Sequence, residues 1–183
     1  MLQIIYKYKW LVLPFLVSVL AAPSLLSANS EIVIKAAFIE KLTRFIEWPG
    51  LTPSGQDSAF YLCVAGENPF DGALDNLAKI SLIKGRRLKV LHLKKINIHD
   101  KCHILFISAS MSRHLSKILV QIKNRPVLTI GDTKDYADQG VMVNFFRDDG
   151  RIRFEINQES AAAAGITIGA RVLKIARIVD GEG

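Results

Sequence analysis

The chain has 183 residues, half of them hydrophobic, with 24 Lys and Arg against 17 Asp and Glu and a formal net charge of +7. That length suits one domain with a sizeable core and is short for two. The basic excess lies in short scattered clusters such as Lys84-Gly85-Arg86-Arg87 and Lys94-Lys95, without interleaved aromatics, which argues against a nucleic-acid partner.

Lys7 and Lys9 precede an apolar run from Trp10 to Leu20, a small-residue stretch ends near Ser27-Ala28, and the first acidic residue is Glu31. This is the pattern of a secretory signal peptide over residues 1–28, leaving one domain over 29–183. Pro14 and Pro23 interrupt the apolar stretch, which falls short of the roughly 20 residues a spanning helix needs. Removing Lys7 and Lys9 lowers the basic count from 24 to 22, and 22 against 17 acidic residues leaves +5. Export places the two cysteines, Cys63 and Cys102, in an oxidising compartment, where a disulfide between neighbouring strands is the natural pairing. A pair of buried thiols also suits both positions.

From Glu31 to Trp48 the stripe Ile34, Phe38, Leu42, Phe45 and Trp48 has helical period, Glu40 and Arg44 form an i,i+4 pair, and Pro49-Gly50 stops the helix. Ile32, Ala36, Ile39 and Ile46 widen the apolar arc beyond what one buried face requires. Phe38, Ile39, Phe45, Ile46 and Trp48 are therefore candidates for a partner or homodimer face, against the alternative of deep burial within the monomer. Pro53 to Ser58 reads as a polar linker, and Ala59 to Ala65 as an apolar strand. Asn68-Pro69 then supplies an N-cap and a first-turn proline for a helix through Leu74, Leu77 and Ile80. After Gly85, Leu88 to Leu93 reads as a half-exposed strand, and Lys94 to Lys101 as a connection.

Lys101 to Ser108 is nearly unbroken apolar sequence, which suits a central strand buried on both faces. Ser110 is placed to cap a helix from Met111 to Lys123. Val127 to Ile130 is a further strand ending at Gly131-Asp132. Val141 to Phe146 and Arg151 to Ile156 flank Asp148-Asp149-Gly150, a hairpin signal, and in the second arm Arg151, Arg153 and Glu155 are expected on a wet face. Asn157 caps a short helix closed by Gly165, and Gly169 to Val179 reads as a last helix. Strands alternating with helices indicate an α/β fold: a single layered αβα domain with a mixed, mostly parallel sheet closed by a β-hairpin.

These residues resemble the YfiR-like family of periplasmic regulators. The resemblance runs from Ile34 to Ala176 through Lys35-Ala36-Ala37-Phe38 with Phe45 and Trp48-Pro49, Cys63-Val64-Ala65-Gly66, Cys102 to Ser108, Leu128-Thr129-Ile130-Gly131-Asp132, Gly140 to Phe145, Phe154-Glu155-Ile156-Asn157 and Leu173 to Ala176. Gly140-Val141 stands where the family often has paired glycines, and Gly169-Ala170 where it often has two serines. A further cysteine pair seen in some members is absent. The resemblance implies a periplasmic protein that binds the periplasmic domain of an inner-membrane diguanylate cyclase, or of a sensor kinase, and represses it, linking envelope or redox state to cyclic di-GMP.

Other chemistry weighs less. Ser108, Ser110 or Ser112 with His114 and Asp132 lack the Gly-x-Ser-x-Gly elbow, and serines between strand and helix are usually caps, so no catalytic residue is assigned. His92, His99, Cys102 and His103 do not make a metal site, because adjacent strand residues point to opposite faces. No cofactor motif is read. The alternative function is a small-ligand sensor using the crevice beyond the strand carboxyl ends, with Asn68, Ser108, Ser110 and Asp132 as its candidate contacts.

Overall fold

The computed structural model describes residues 24–51, 59–93 and 101–180. The chain divides into two units, Met1–Glu31 and Ile32–Gly183, and the second carries the sheets and the core. Most of the expected leader, the linker Pro53 to Ser58 and the connection up to residue 100 lie outside the described residues; Ser24 to Ala28 belong to the first helix. No helix among the described residues is long and apolar enough to cross a membrane.

Helix α1 (Ser24–Leu42) leads through a 3₁₀ turn to β1 (Ile46–Glu47). Next come β2 (Ala59–Ala65), α2 (Ala73–Ile80), β3 (Leu82–Ile83), β4 (Arg86–Leu93) and β5 (Cys102–Ile107). The second half holds α3 (Leu115–Ile122), β6 (Leu128–Gly131), β7 (Val143–Asp148), β8 (Arg151–Asn157), α4 (Gln158–Ala163), β9 (Thr167–Ile168), α5 (Ala170–Leu173) and β10 (Arg177–Val179). Eight strands form one sheet in the order β10-β8-β7-β6-β5-β2-β4-β3, and β1 pairs with β9 in a small antiparallel sheet. The β3–β4 and β7–β8 pairs are antiparallel and the rest of the large sheet is parallel, so the expected mixed, mostly parallel αβα architecture is the one observed.

The central strand is unbroken in hydrophobicity because both its faces are covered. Ile104 and Phe106 join Leu62, Val64 and residues of α1, α2, α4 and α5 in one core, while Leu105 and Ile107 join Cys63, Ala65 and the α3 residues Leu115, Ile118 and Ile122 in the other. The hairpin turns as its sequence requires, with positive φ at Asp149 (45°) and Gly150 (73°), the type I′ signature.

Four boundaries differ from the sequence reading, each because tertiary bonding overrides local pattern. The first helix stops at Leu42 instead of Trp48: Thr43 Oγ1 donates to the Glu40 carbonyl, and Ile46 and Glu47 turn extended to pair with Ile168 and Thr167. Asn68 does not cap α2. Its Oδ1 accepts from Phe70 N, and Asp71 and Gly72 both take positive φ (42° and 80°), so helix begins only at Ala73. Ser110 does not cap α3 either; residues Ala109–His114 form a 3₁₀ segment and α3 starts at Leu115. The last helix ends at Leu173, because Arg177 to Val179 add to the sheet beside Glu155 to Asn157.

Asn157 fills its expected place, its Oδ1 accepting from Ser160 N at 2.8 Å, and its Nδ2 also donates to the buried Ala137 carbonyl at 2.9 Å. Asn157→Ala therefore removes a cap and strands a carbonyl together, at about 2 kcal/mol, or roughly 4–8 °C in Tm. Thermal unfolding checks this, and Asn157→Asp, which keeps the cap acceptor but buries a carboxylate against the Ala137 carbonyl, is expected to lose at least as much.

Candidate functional site

The parallel strands β2, β5 and β6 end side by side at Gly66, Ser108 and Gly131-Asp132. In this architecture ligands favour that edge. Here the backbone at Gly66 and Gly131 is closely packed by the protein's own side chains, while Asn68 and Ser110 stay exposed. Gly66 takes φ +88°, and a Cβ there would overlap Ser110 Oγ, lie 2.5 Å from Ser108 Oγ and 2.6 Å from Met111 Cγ. The two serine hydroxyls bond each other at 2.8 Å, and Ser110 Oγ accepts from Glu67 N at 2.9 Å. At the neighbouring end Tyr136, 1% exposed, lays its ring against Gly131, where a Cβ would come within 2.5 Å of Cδ2. Its hydroxyl donates to the Ser108 carbonyl at 3.1 Å and meets Ser112 Oγ at 2.9 Å.

Asp132 is held by α1, with Lys35 Nζ 2.9 Å from Oδ2 and both side chains largely buried. Behind it Asn144 Nδ2 donates to the Thr133 carbonyl (2.8 Å) and to Glu155 Oε1 (3.0 Å). Glu155, expected on a wet face, is 3% exposed, because β10 and the loop after β6 close over that end of β8. It is compensated by Arg177, whose Nε donates to Oε2 at 3.0 Å while the guanidinium lies 4.1 Å over the Phe146 ring. Asn144 Oδ1 and Thr133 Oγ1 have no hydrogen-bond partner among the described residues.

The structure thus brings Ser108 and Ser110 together, ties Asp132 to Lys35, and leaves Asn68 in its own turn. His114 is hydrogen-bonded to none of the three serines. Lys35, Tyr136, Asn144 and Arg177 were given no site role by the sequence. Tyr136 left a signal, being the one aromatic in the polar stretch from Asp132 to Gln139.

The disulfide ties the interior of β2 to the first residue of β5. Cys63 and Cys102 are bonded, with Cα atoms 5.8 Å apart. A bulge makes this possible: Tyr61 pairs with Cys102 and Leu62 with Ile104, so His103 is an extra residue in β5. Without it Cys102 and Ile104 would share a face; with it Ile104 enters one core and Cys102 enters the other, where Cys63 already lies. His103 holds the bulge. Its Nδ1 accepts from Tyr61 N at 3.1 Å, its carbonyl accepts from the Trp48 indole at 3.1 Å, and its ring stacks on Phe60 at 4.5 Å.

Burial, and then the nearby Arg86 charge, lower the His103 pKa, opposed by a backbone hydrogen bond to Lys101. A folded-state pKa below the ordinary value means that the unfolded chain takes up the proton first. Stability is accordingly unaffected above about pH 6.5 and falls as pH drops from there toward the folded pKa. The Tm lost between about pH 7 and about pH 5 should be smaller in His103→Gln, whose amide oxygen retains an acceptor. Melting curves of both proteins across that range check the difference, and equal losses would exclude His103 as a source.

Of the residues expected to form a partner face, Ile39, Ile46 and Trp48 are core, at 1%, 0% and 7% exposure. The apolar arc of α1 is wide because Ile46 and Trp48 leave the helix for the sheet, and Phe38 packs edge-on to Phe145 and tilted on Phe154. Phe45 remains exposed, as do Val33 and Ile34.

A sheet covered on both faces, with its parallel strand ends packed at Gly66 and Gly131, defines a layered α/β domain. The chain belongs to the YfiR/HmsC-like family (DUF4154), whose profile matches residues 33–177. That family is one of periplasmic regulators and not of enzymes. Among solved structures the fold is similar to a conserved domain protein from Vibrio cholerae O1 biovar El Tor, with 16% identity, TM-score 0.52, and 80% of this chain and 59% of that chain covered. It is also similar to the ABC domain in complex with L-Trp from Streptococcus pneumoniae, with 10% identity, TM-score 0.54, and 81% and 60% covered. The chain spans about three fifths of each, and at these identities the likeness is one of fold.

Proposed function

We propose that the protein is exported to the periplasm and represses an inner-membrane signalling protein, a diguanylate cyclase in the first instance, by binding its periplasmic domain. The observation that carries this reading is the family match over residues 33–177, which runs from α1 to the first residue of β10. The disulfide supports an oxidising compartment. The internal hydrogen bonds that already engage Asn68, Ser108, Ser110 and Asp132 favour action through a surface over capture of a small molecule there. The docking face proposed here is Ile34 and Phe45, which share one side of α1 and its 3₁₀ extension at i and i+11, with Phe38 turned inward between them. Ile34 and Phe45 are 44% and 38% exposed. A membrane sensor's periplasmic domain with an apolar groove is the matching partner.

The test is direct binding of the purified exported protein to the purified periplasmic domain of a co-resident cyclase, measured by calorimetry. Ile34→Asp and Phe45→Asp should weaken binding at least about tenfold with Tm unchanged, as expected for charge buried in an apolar interface. Undiminished binding by both variants would overturn this face, and no binding by the wild type would overturn the partner.

A further inference from the structure

The large sheet parts at one point. β6 and β7 pair only at Ile130 with Val143 and Gly131 with Asn144. One residue earlier the backbone ladder is replaced by a side chain, Met142 N donating to Thr129 Oγ1 at 2.8 Å. Into the resulting wedge α4 and its C-cap offer only the small residues Ser160, Ala163 and Ala164, and the loop before β7 offers Gly140, so the space stays open as a cleft of about 290 Å³. Leu119 and Ile122 of α3 wall the other side.

The polar groups there are few and uncharged apart from Lys123. Ser160 enters the α4 cap through its backbone N–H, and its hydroxyl lies 3.6 Å from where a Cβ at Gly140 would stand. Gln139 uses its amide nitrogen on the Asp135 carbonyl, which leaves its oxygen as an acceptor at the mouth. Among the described residues no acidic side chain lines the space.

We infer that this wedge is a binding site for a small uncharged molecule with an apolar body and one hydrogen-bonding head, held by the Ser160 hydroxyl and the Gln139 amide oxygen. Its volume sits at the lower end of small-molecule sites, which sets the occupant at about ten non-hydrogen atoms. The lining, predominantly apolar with a few convergent polar groups, is what such a ligand requires. The site uses none of the residues of the strand ends or of the α1 docking face, and stands independently of the proposed repression.

The probe is 2-phenylethanol, with ethylbenzene as the hydrocarbon match and phenylacetate as the anion, titrated into the full exported protein while methyl resonances of Leu119, Ile122 and Met142 are followed by NMR. Saturable shifts at those methyls are expected with the alcohol, with phenylacetate several-fold weaker. Ser160→Ala should weaken the alcohol about fivefold and leave ethylbenzene unchanged, since only the alcohol loses a bond. Ala163→Leu, which fills exposed space and leaves the fold intact by its unchanged Tm, should abolish both. Absence of saturable shifts up to the probe's solubility, or equal alcohol affinity in wild type and both variants, would overturn the site.

Discussion

Replacing Cys63 and Cys102 together by alanine is expected to lower stability by about 4 kcal/mol, the chain-entropy value for releasing a closure of sequence separation 39. For a domain of this size that corresponds to roughly 8–16 °C in Tm. The effect should exceed simple loss of side-chain volume, because the bond fixes β2 against β5 beside the bulge where β5 changes face. Both cysteines are buried, so reductant should act slowly on the folded protein and quickly once the sheet opens. Thermal unfolding of the double variant, and thiol counting of the exported wild type under non-reducing conditions, check the two halves. A free thiol in the exported wild type, or a Tm loss below about 2 °C, would show that the bond does not brace the sheet.

The second large effect is expected at Gly66. Gly66→Ala meets two costs: a left-handed φ, and overlap with the Ser108 and Ser110 hydroxyls and Met111. Together they amount to about 3 kcal/mol. Gly150→Ala is the control, since its φ is +73° but nothing lies within 4 Å of its Cβ position, so only the backbone cost of about 1 kcal/mol applies. The difference between the two variants in chemical denaturation measures how fully the strand end is filled. Equal losses would mean that the crevice has room, and would return Ser108, Ser110 and Asn68 to candidacy as ligand contacts.

The sheet was legible in the sequence because its strands are buried on both faces, and burial leaves unbroken apolar runs such as Ile104 to Ile107 and Ala59 to Ala65. The hairpin was legible because Asp149-Gly150 demands positive φ at both positions, and the α4 cap because Asn157 is a strong local device. The features that escaped depend on partners distant in sequence. Ile46 and Trp48 read as helix until β9 and the His103 carbonyl are in place. Arg177 reads as a helical surface charge until Glu155 is buried beside it. The bulge at His103 left no local trace at all, and it decides whether Cys102 can reach Cys63. The serines were found but assigned to a ligand or a cap; their role in packing comes from Gly66 and Tyr136, which sequence spacing does not connect.

The repressor account meets its most direct test in the cell. Cyclic di-GMP is to be quantified by mass spectrometry in a strain lacking this protein and in the same strain supplied with wild type or with Ile34→Asp and Phe45→Asp combined. The account requires a rise on deletion, return to baseline with wild type, and no return with the double variant although it accumulates in the periplasm. A level indifferent to deletion and to re-supply would contradict it.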